Sequence, residues 1–183
     1  MTKKHEIIIT SKAIIVDGKK LSTDFEGIEM LKEVYINRIG NYPKFYKMDI
    51  LCQLCFVASE LLLCAEGKER FVECDDRAIL LFGKNSSLCA DQEYQCTISD
   101  KHNFYPSPSL FVYTLPNIMT GEIACRNNYH GETSYLIISD RSLIDKYIEV
   151  IISNTLNINS AICGWIDALD ATNFEATFWI AEK

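Results

Sequence analysis

With 183 residues, 48% of them hydrophobic and 23% charged, the chain has the composition of one soluble globular domain with a sizeable core, which excludes disorder as the default for any long stretch. A net charge of −7, with the 18 Lys and Arg scattered along the chain, excludes the basic field that a nucleic acid or an anionic membrane surface requires. The longest apolar stretch, Phe56 to Cys64, is broken by Ser59 and Glu60, and the run Ile7 to Ile9 stops at Thr10-Ser11-Lys12, so neither a bilayer span nor a signal core is present and a cytoplasmic protein is expected.

Glu6 to Val16 is rich in β-branched residues and predicts a strand or strand pair closed by the Asp17-Gly18 turn. Phe25, Ile28, Leu31 and Tyr35 recur at helical spacing, which predicts an amphipathic helix from Thr23 to about Arg38, capped by Thr23 or Asp24 and stopped by Gly40. Met48 to Cys64 is apolar nearly all round and predicts a helix buried on almost every side. Arg77 to Phe82 reads as a short apolar strand ending at Gly83, followed by a polar loop from Lys84 to Asn103. Pro106-Ser-Pro-Ser109 is read as non-helical, and Pro116 as the first turn of a helix running to about Arg126. Gly121 inside that helix costs about 1 kcal/mol against alanine, which predicts a close backbone approach there. Thr133 to Ser139 reads as a strand, and Leu143, Ile144, Tyr147, Ile148, Ile151 and Ile152 form one helical stripe after Asp140. Two further strands, Ala161 to Ile166 and Phe174 to Ala181, are joined by a polar turn, and the α/β class follows.

The eight cysteines sit in apolar segments, which predicts reduced, buried thiols and no disulfide framework. Cys52 and Cys55 have CxxC spacing, but they fall in the buried helix without a second pair, so core packing is the expected role. His5, His102 and His130 lack the i, i+4 pairing or adjacent carboxylates of metal sites and read as solvent-exposed. No Gly-rich phosphate loop or nucleophile elbow occurs, so no cofactor and no metal is expected.

Three segments in order carry a resemblance: Phe45-Tyr-Lys-Met-Asp-Ile-Leu-Cys-Gln-Leu; Ile79-Leu-Leu-Phe-Gly83 with Ser87-Leu-Cys-Ala-Asp91; and Pro106-Ser-Pro-Ser-Leu-Phe-Val-Tyr-Thr-Leu-Pro-Asn-Ile-Met-Thr-Gly-Glu-Ile-Ala124. Together they resemble the N-terminal half of β-ketoacyl-[acyl-carrier-protein] synthases of the thiolase superfamily, of the kind found in aryl polyene and flexirubin pigment clusters. The resemblance runs from about Phe45 to the C-terminus. It implies a single thiolase-like half over residues 1–183, a mixed five-stranded sheet covered by helices.

A family member carries its nucleophilic cysteine on a sharp elbow after a "G-P" turn and a strand. Here Gly131-Glu132 stands at that turn and the elbow reads Ile138-Ser-Asp-Arg-Ser142, so Asp140, flanked by Ser139 and Arg141, occupies the cysteine's place. A helix N-terminus lowers a thiol's pKa and makes thiolate available, whereas an aspartate there caps the helix and is a poor acyl acceptor. Cys125 and Cys163 fall in a predicted helix and strand and are no substitute. The family's two histidines and lysine belong to the second half of its fold, outside the segment these residues resemble.

The resemblance therefore implies no catalytic residue in this chain. Its first implication is a non-catalytic, chain-length-factor-like partner in fatty-acid or polyketide-type biosynthesis. Its second is a synthase subunit completing a composite site, with Ser139, Asp140 and His130 as the polar groups on offer. Its third is a module binding acyl chains or pantetheine, with Ser87, Asp91, Phe111 and Asn117 as substrate-binding residues, against turn and capping chemistry as their ordinary role. The implied partners are a second copy or a synthase-like chain, and an acyl carrier protein. A half of the fold alone would expose an apolar face, and the Met48–Cys64 and Pro116–Arg126 helices are the segments expected near the interface.

Overall fold

The computed structural model describes residues 1–183. One sheet organises them, from seven strands: β1 (Thr2–Thr10), β2 (Ala13–Val16), β3 (Lys19–Lys20), β4 (Arg77–Gly83), β5 (Thr133–Ile137), β6 (Ser160–Asp170) and β7 (Asn173–Glu182). Their spatial order is β3-β2-β1-β7-β6-β4-β5. Strand β4 runs parallel to β5 and β6, and every other pairing is antiparallel. The expected five strands become seven because the Glu6–Val16 run turns at Ser11-Lys12 into the β1–β2 pair, and Asp17 and Gly18, at φ 47° and 76°, close a two-residue hairpin that adds β3 to the edge.

All seven residues of β4 are buried, the pattern of a central parallel strand covered on both faces. Its side chains alternate: Ile79 and Leu81 join a 31-residue core cluster on one face, while Ala78, Leu80 and Phe82 join a 12-residue cluster on the other. Strand β6 divides likewise, Ile162 and Ile166 against Ala161, Cys163 and Trp165.

The larger cluster surrounds helix α2 (Ile50–Glu66), in which every residue from Ile50 to Leu63 is buried. Asp49 caps it by accepting a hydrogen bond from the Cys52 amide at 3.0 Å, and Gly67, at φ 68°, ends it. Its buried polar residues bond within the molecule, except for Gln53 Oε1, which has no partner. Gln53 Nε2 donates to the carbonyls of Phe45 and Met48, Ser59 donates to Phe56 O, and Glu60 accepts from Arg70. Helix α1 (Gly27–Val34) and the β1 and β7 strands close around α2, so the chain itself covers this helix and α2 is not available to a partner.

Several local expectations are corrected. Helix α1 begins at Gly27 rather than at Thr23, with Glu26 at its N-cap position, and continues as a π-helical turn, Tyr35–Ile39, up to Gly40. The supposed loop after β4 contains helix α3 (Leu88–Ile98), whose periodicity is faint because Ala90 is its only buried residue. Pro108 opens the short helix α4 (Pro108–Tyr113), where its missing N–H costs nothing, and Ser107 caps it. Helix α5 (Ile118–Asn127) starts two residues after Pro116. Gly121 has open space around it, whereas Gly83, Gly131 and Gly164 are the positions where a Cβ would collide.

Helix α6 (Ile144–Asn154) covers the smaller cluster through Ile144, Ile148 and Ile152. All eight cysteines are unpaired, but only Cys52, Cys55 and Cys163 are buried; Cys64, Cys96 and Cys125 are exposed. No helix is long and apolar enough to cross a membrane.

Candidate functional site

In open α/β sheets, ligands gather at the carboxyl ends of parallel strands. Here that end is formed by the exits of β4, β5 and β6. The first residues after β4 are tied to β6: the Asn85 amide donates to Asp167 Oδ1 at 3.0 Å and its side-chain Nδ2 to Oδ2 at 2.7 Å. The exit of β5 is tied to β4 by Ile138 N donating to Gly83 O at 2.9 Å. The Tyr135 hydroxyl is packed onto Gly83, where a Cβ would stand 2.2 Å from it and 2.4 Å from Ile166 O, so only glycine fits. That hydroxyl is enclosed without a hydrogen-bond partner, and burial pushes its pKa up.

The elbow itself is open. Asp140 has extended backbone, φ −119° and ψ 107°, and its Oδ1 accepts from the Ser142 amide at 2.9 Å, capping the 3₁₀ turn Arg141–Leu143 that leads into α6. The Ser142 side chain and its amide together lower the Asp140 carboxyl from its ordinary value. Ser139 and Asp140 are both exposed. Arg141 folds back onto the sheet, its guanidinium 4.5 Å above the Trp165 ring and 3.0 Å from Glu175 Oε1, which also accepts from Trp165 Nε1 at 2.8 Å. The elbow is thus an anchored, solvated cap whose carboxylate is engaged by the Ser142 amide.

Of the three polar groups offered for a composite site, Ser139 and Asp140 follow β5 and His130 precedes it. The five-residue strand places roughly 16 Å between the two ends, so the structure does not bring His130 to the elbow. Cys125 is exposed on α5, and Cys163 is buried in β6, where burial pushes its thiol far up; neither reaches the elbow.

Ser87 is buried, and its hydroxyl donates to Thr114 O at 2.8 Å, with Asp91 Oδ1 at 3.3 Å, so it pins the start of α3 to the end of α4. Phe111, on α4, packs against Tyr94 of α3 with ring centroids 5.4 Å apart. Asn117 occupies the N-cap position of α5 without a side-chain capping bond. Ser87, Asp91 and Phe111 therefore share the α3–α4 hairpin, with Asn117 just beyond it. None of the five principal clefts has any of these four residues, or Asp140, in its lining. The expected isolation of the histidines fails twice: His5 Nδ1 lies 2.9 Å from Asp17, and His130 Nδ1 lies 3.4 Å from both Glu73 and Asp75.

Strand β5 is the edge of the sheet, paired only with β4, so its outer row of backbone groups is free, and Ile137 at its end is 59% exposed. No protein-family model and no curated protein matches the chain. Solved structures do match. The ishigamide ketosynthase/chain length factor superposes on 99% of this chain with a TM-score of 0.69 and 14% identity. The fold is that of a ketosynthase-like half. A ketosynthase (ApeO) in complex with its chain length factor (ApeC) from Xenorhabdus doucetiae matches the whole chain at a TM-score of 0.60 and 11% identity. A beta-ketoacyl synthase from Burkholderia phymatum STM815 matches 78% of it at 0.54 and 13%. This ketosynthase-like chain spans 61%, 80% and 44% of those three chains respectively, and at such identities the likeness is one of fold.

Proposed function

We propose that this chain is a non-catalytic, chain-length-factor-like partner of a synthase-like chain in fatty-acid or polyketide-type pigment biosynthesis, acting as one unit over residues 1–183. One observation carries the reading. On a ketosynthase-like fold, the elbow position holds an exposed aspartate whose carboxylate is occupied in capping the following turn. A carboxylate so placed neither accepts an acyl group nor generates a thiolate. Two of the similar structures are named as ketosynthases with chain length factors, which supports pairing as the role. The open β5 edge supplies a surface for it, because a strand with free backbone groups recruits another strand.

The synthase-like chain would carry the chemistry and engage the acyl carrier protein. Ser87, Asp91, Phe111 and Asn117 enter this reading as a wall beside the partner's acyl chain. The composite-site alternative loses support from the separation of His130 and Asp140 along β5.

The test is co-expression with the synthase-like chain from the same genome, followed by sizing and a condensation assay with malonyl-loaded carrier protein. A one-to-one complex is expected, with condensation requiring the partner's cysteine and surviving Asp140→Ala. Ile137→Asp, on the exposed end of β5, should weaken assembly while leaving each chain folded. A chain that remains monomeric with every such synthase, or condensation that dies with Asp140→Ala, overturns the proposal.

A further inference from the structure

We propose that Glu73, Asp75 and His130 form a site for one borderline divalent cation, zinc being the ion their donor set favours. The site lies at the opposite end of β5 from the elbow and is independent of the pairing reading above. His130 Nδ1 is 3.4 Å from Glu73 Oε1 and 3.4 Å from Asp75 Oδ1, and the three atoms all lie within 4.8 Å of one another. Donors held about 2.1 Å from a tetrahedral ion stand about 3.4 Å apart, so both His130 edges already have the length that a shared zinc would impose. At 3.4 Å these contacts exceed the usual N–H···O range, so they are poor as direct hydrogen bonds.

The backbone holds the donors in place. Glu73 and Asp75 flank Cys74 in sequence, and both carboxylates reach the same His130 Nδ1. Cys74 forms a parallel bridge with Tyr129, its amide donating to Asn128 O at 3.1 Å and its carbonyl accepting from His130 N at 2.9 Å. Gly131 seals the junction, since a Cβ there would lie 2.2 Å from Arg77 O and 3.2 Å from Asp75 O. The segment before β4 and the turn before β5 are thus locked side by side, with one donor group facing two.

Charge points the same way. Glu73 and Asp75 pair with no lysine or arginine, because Arg70 serves Glu60, Arg77 serves Glu66, and Lys68 serves Glu66 and Glu182. The two carboxylates therefore leave a local charge that a divalent ion neutralises. An imidazole donor disfavours calcium and magnesium, which prefer all-oxygen shells. Cys74 is not a ligand, since its thiol is directed to Asp76 Oδ1 at 3.1 Å. All three donors are exposed, so an ion enters without opening the fold, and water completes its shell. A bound ion would cross-link two segments more than fifty residues apart in sequence.

The experiment is calorimetric titration of the chain with zinc chloride, in a background where the exposed Cys64, Cys96 and Cys125 are serine, so that surface thiols do not compete. One ion per chain is expected. His130→Ala and the double variant Glu73→Gln/Asp75→Asn should each lose affinity at least about tenfold, the loss that even outer-shell changes produce at metal sites. His102→Ala, the solvent-exposed control, should leave binding unchanged. All these residues are on the surface, so circular dichroism of each variant should match the parent. No saturable binding in the thiol-free background, or an isotherm unaltered by His130→Ala, overturns the proposal.

Discussion

The two faces of the sheet are built to different standards. On one, α2 lies sealed among 31 buried residues, and its Gln53 amide nitrogen, Ser59 hydroxyl and Glu60 carboxylate all bond inside the molecule. On the other, α6 rests three isoleucines on a 12-residue cluster and turns Asp145, Lys146 and Glu149 to solvent. The half-fold expectation of a bare apolar face therefore fails on both sides, since one face is closed by the chain's own helices and the other by an amphipathic helix with a charged back. Apolar exposure is concentrated instead on the α3–α4 hairpin, where Leu88, Phe104, Tyr105, Phe111, Val112 and Leu115 are each at least 41% exposed. Tight packing and apolar exposure thus lie in different parts of the molecule, the first around α2 and the second on the α3–α4 hairpin.

The contrast breaks most directly by truncation. Leu54 on α2 is wholly enclosed, and Leu54→Ala should cost near the top of the roughly 2–5 kcal/mol range for buried leucines, because its surroundings cannot collapse into the gap. Ile148→Ala, beneath the single helix α6, should cost nearer the bottom of that range, since α6 is free to settle. Urea unfolding of both variants measures the difference, and equal losses would show that the α6 face is as rigid as the other.

Adding volume sharpens the same contrast. Gly164 lies in β6 under Phe178, and a Cβ there would sit 2.6 Å from the ring. Gly164→Ala should therefore cost about 3 kcal/mol, the upper end for overpacking, because the ring belongs to the tightly filled α2 cluster. A melting temperature equal to that of the parent would mean that this cluster yields more than its burial implies.

Acid should act through the end of α2. Glu66 accepts two hydrogen bonds from Arg77, each 2.6 Å, and one contact from Lys68 at 2.9 Å. Burial alone would raise its pKa, but the bonds from Arg77 and Lys68 outweigh burial and hold it below its ordinary 4.5. A depressed carboxyl stabilises the fold fully above its unfolded pKa and loses that contribution as pH falls through the folded value, so this part of the stability disappears below about pH 4.5. Glu66→Gln should cost about 2 kcal/mol at neutral pH, less than a fully enclosed pair because Arg77 and Lys68 border an open cleft of about 580 Å³. Unfolding midpoints between pH 7 and pH 3 should fall less steeply in the variant; parallel curves would assign the acid sensitivity elsewhere.

What the sequence revealed follows the same division. Met48 to Cys64 and the β4 run announced themselves because burial on all sides leaves an unbroken apolar record, and the stripe of α6 did so because a one-sided helix leaves a periodic one. Helix α3 was illegible, since one buried alanine leaves no period, and α4 hid behind prolines that read equally well as a break or a first turn. The elbow was legible only through the resemblance, as Asp140 alone is an ordinary cap. The Tyr135–Gly83 contact and the Glu73–Asp75–His130 cluster were not legible at all, because they join residues about 50 apart that meet only when β5 pairs with β4 or when the two preceding turns bridge.

The smallest effect belongs to Asp140. Its carboxylate is exposed, and its one hydrogen bond, to the Ser142 amide, belongs to a short 3₁₀ turn, so Asp140→Ala should move the unfolding midpoint only at the limit of detection. Arg141 holds the elbow through Trp165 and Glu175 whichever residue precedes it, so the turn should persist. Asp140→Cys should place a thiol there without making a catalyst. The site is solvated, and His130, at the other end of β5, is too far away to stabilise a thiolate there. Alkylation of that thiol by iodoacetamide across a pH series should therefore follow an ordinary cysteine titration near pH 8.5. A midpoint well below that value would mean that the start of α6 activates a nucleophile, and Asp140 would then mark a replaced catalytic position in an otherwise competent site.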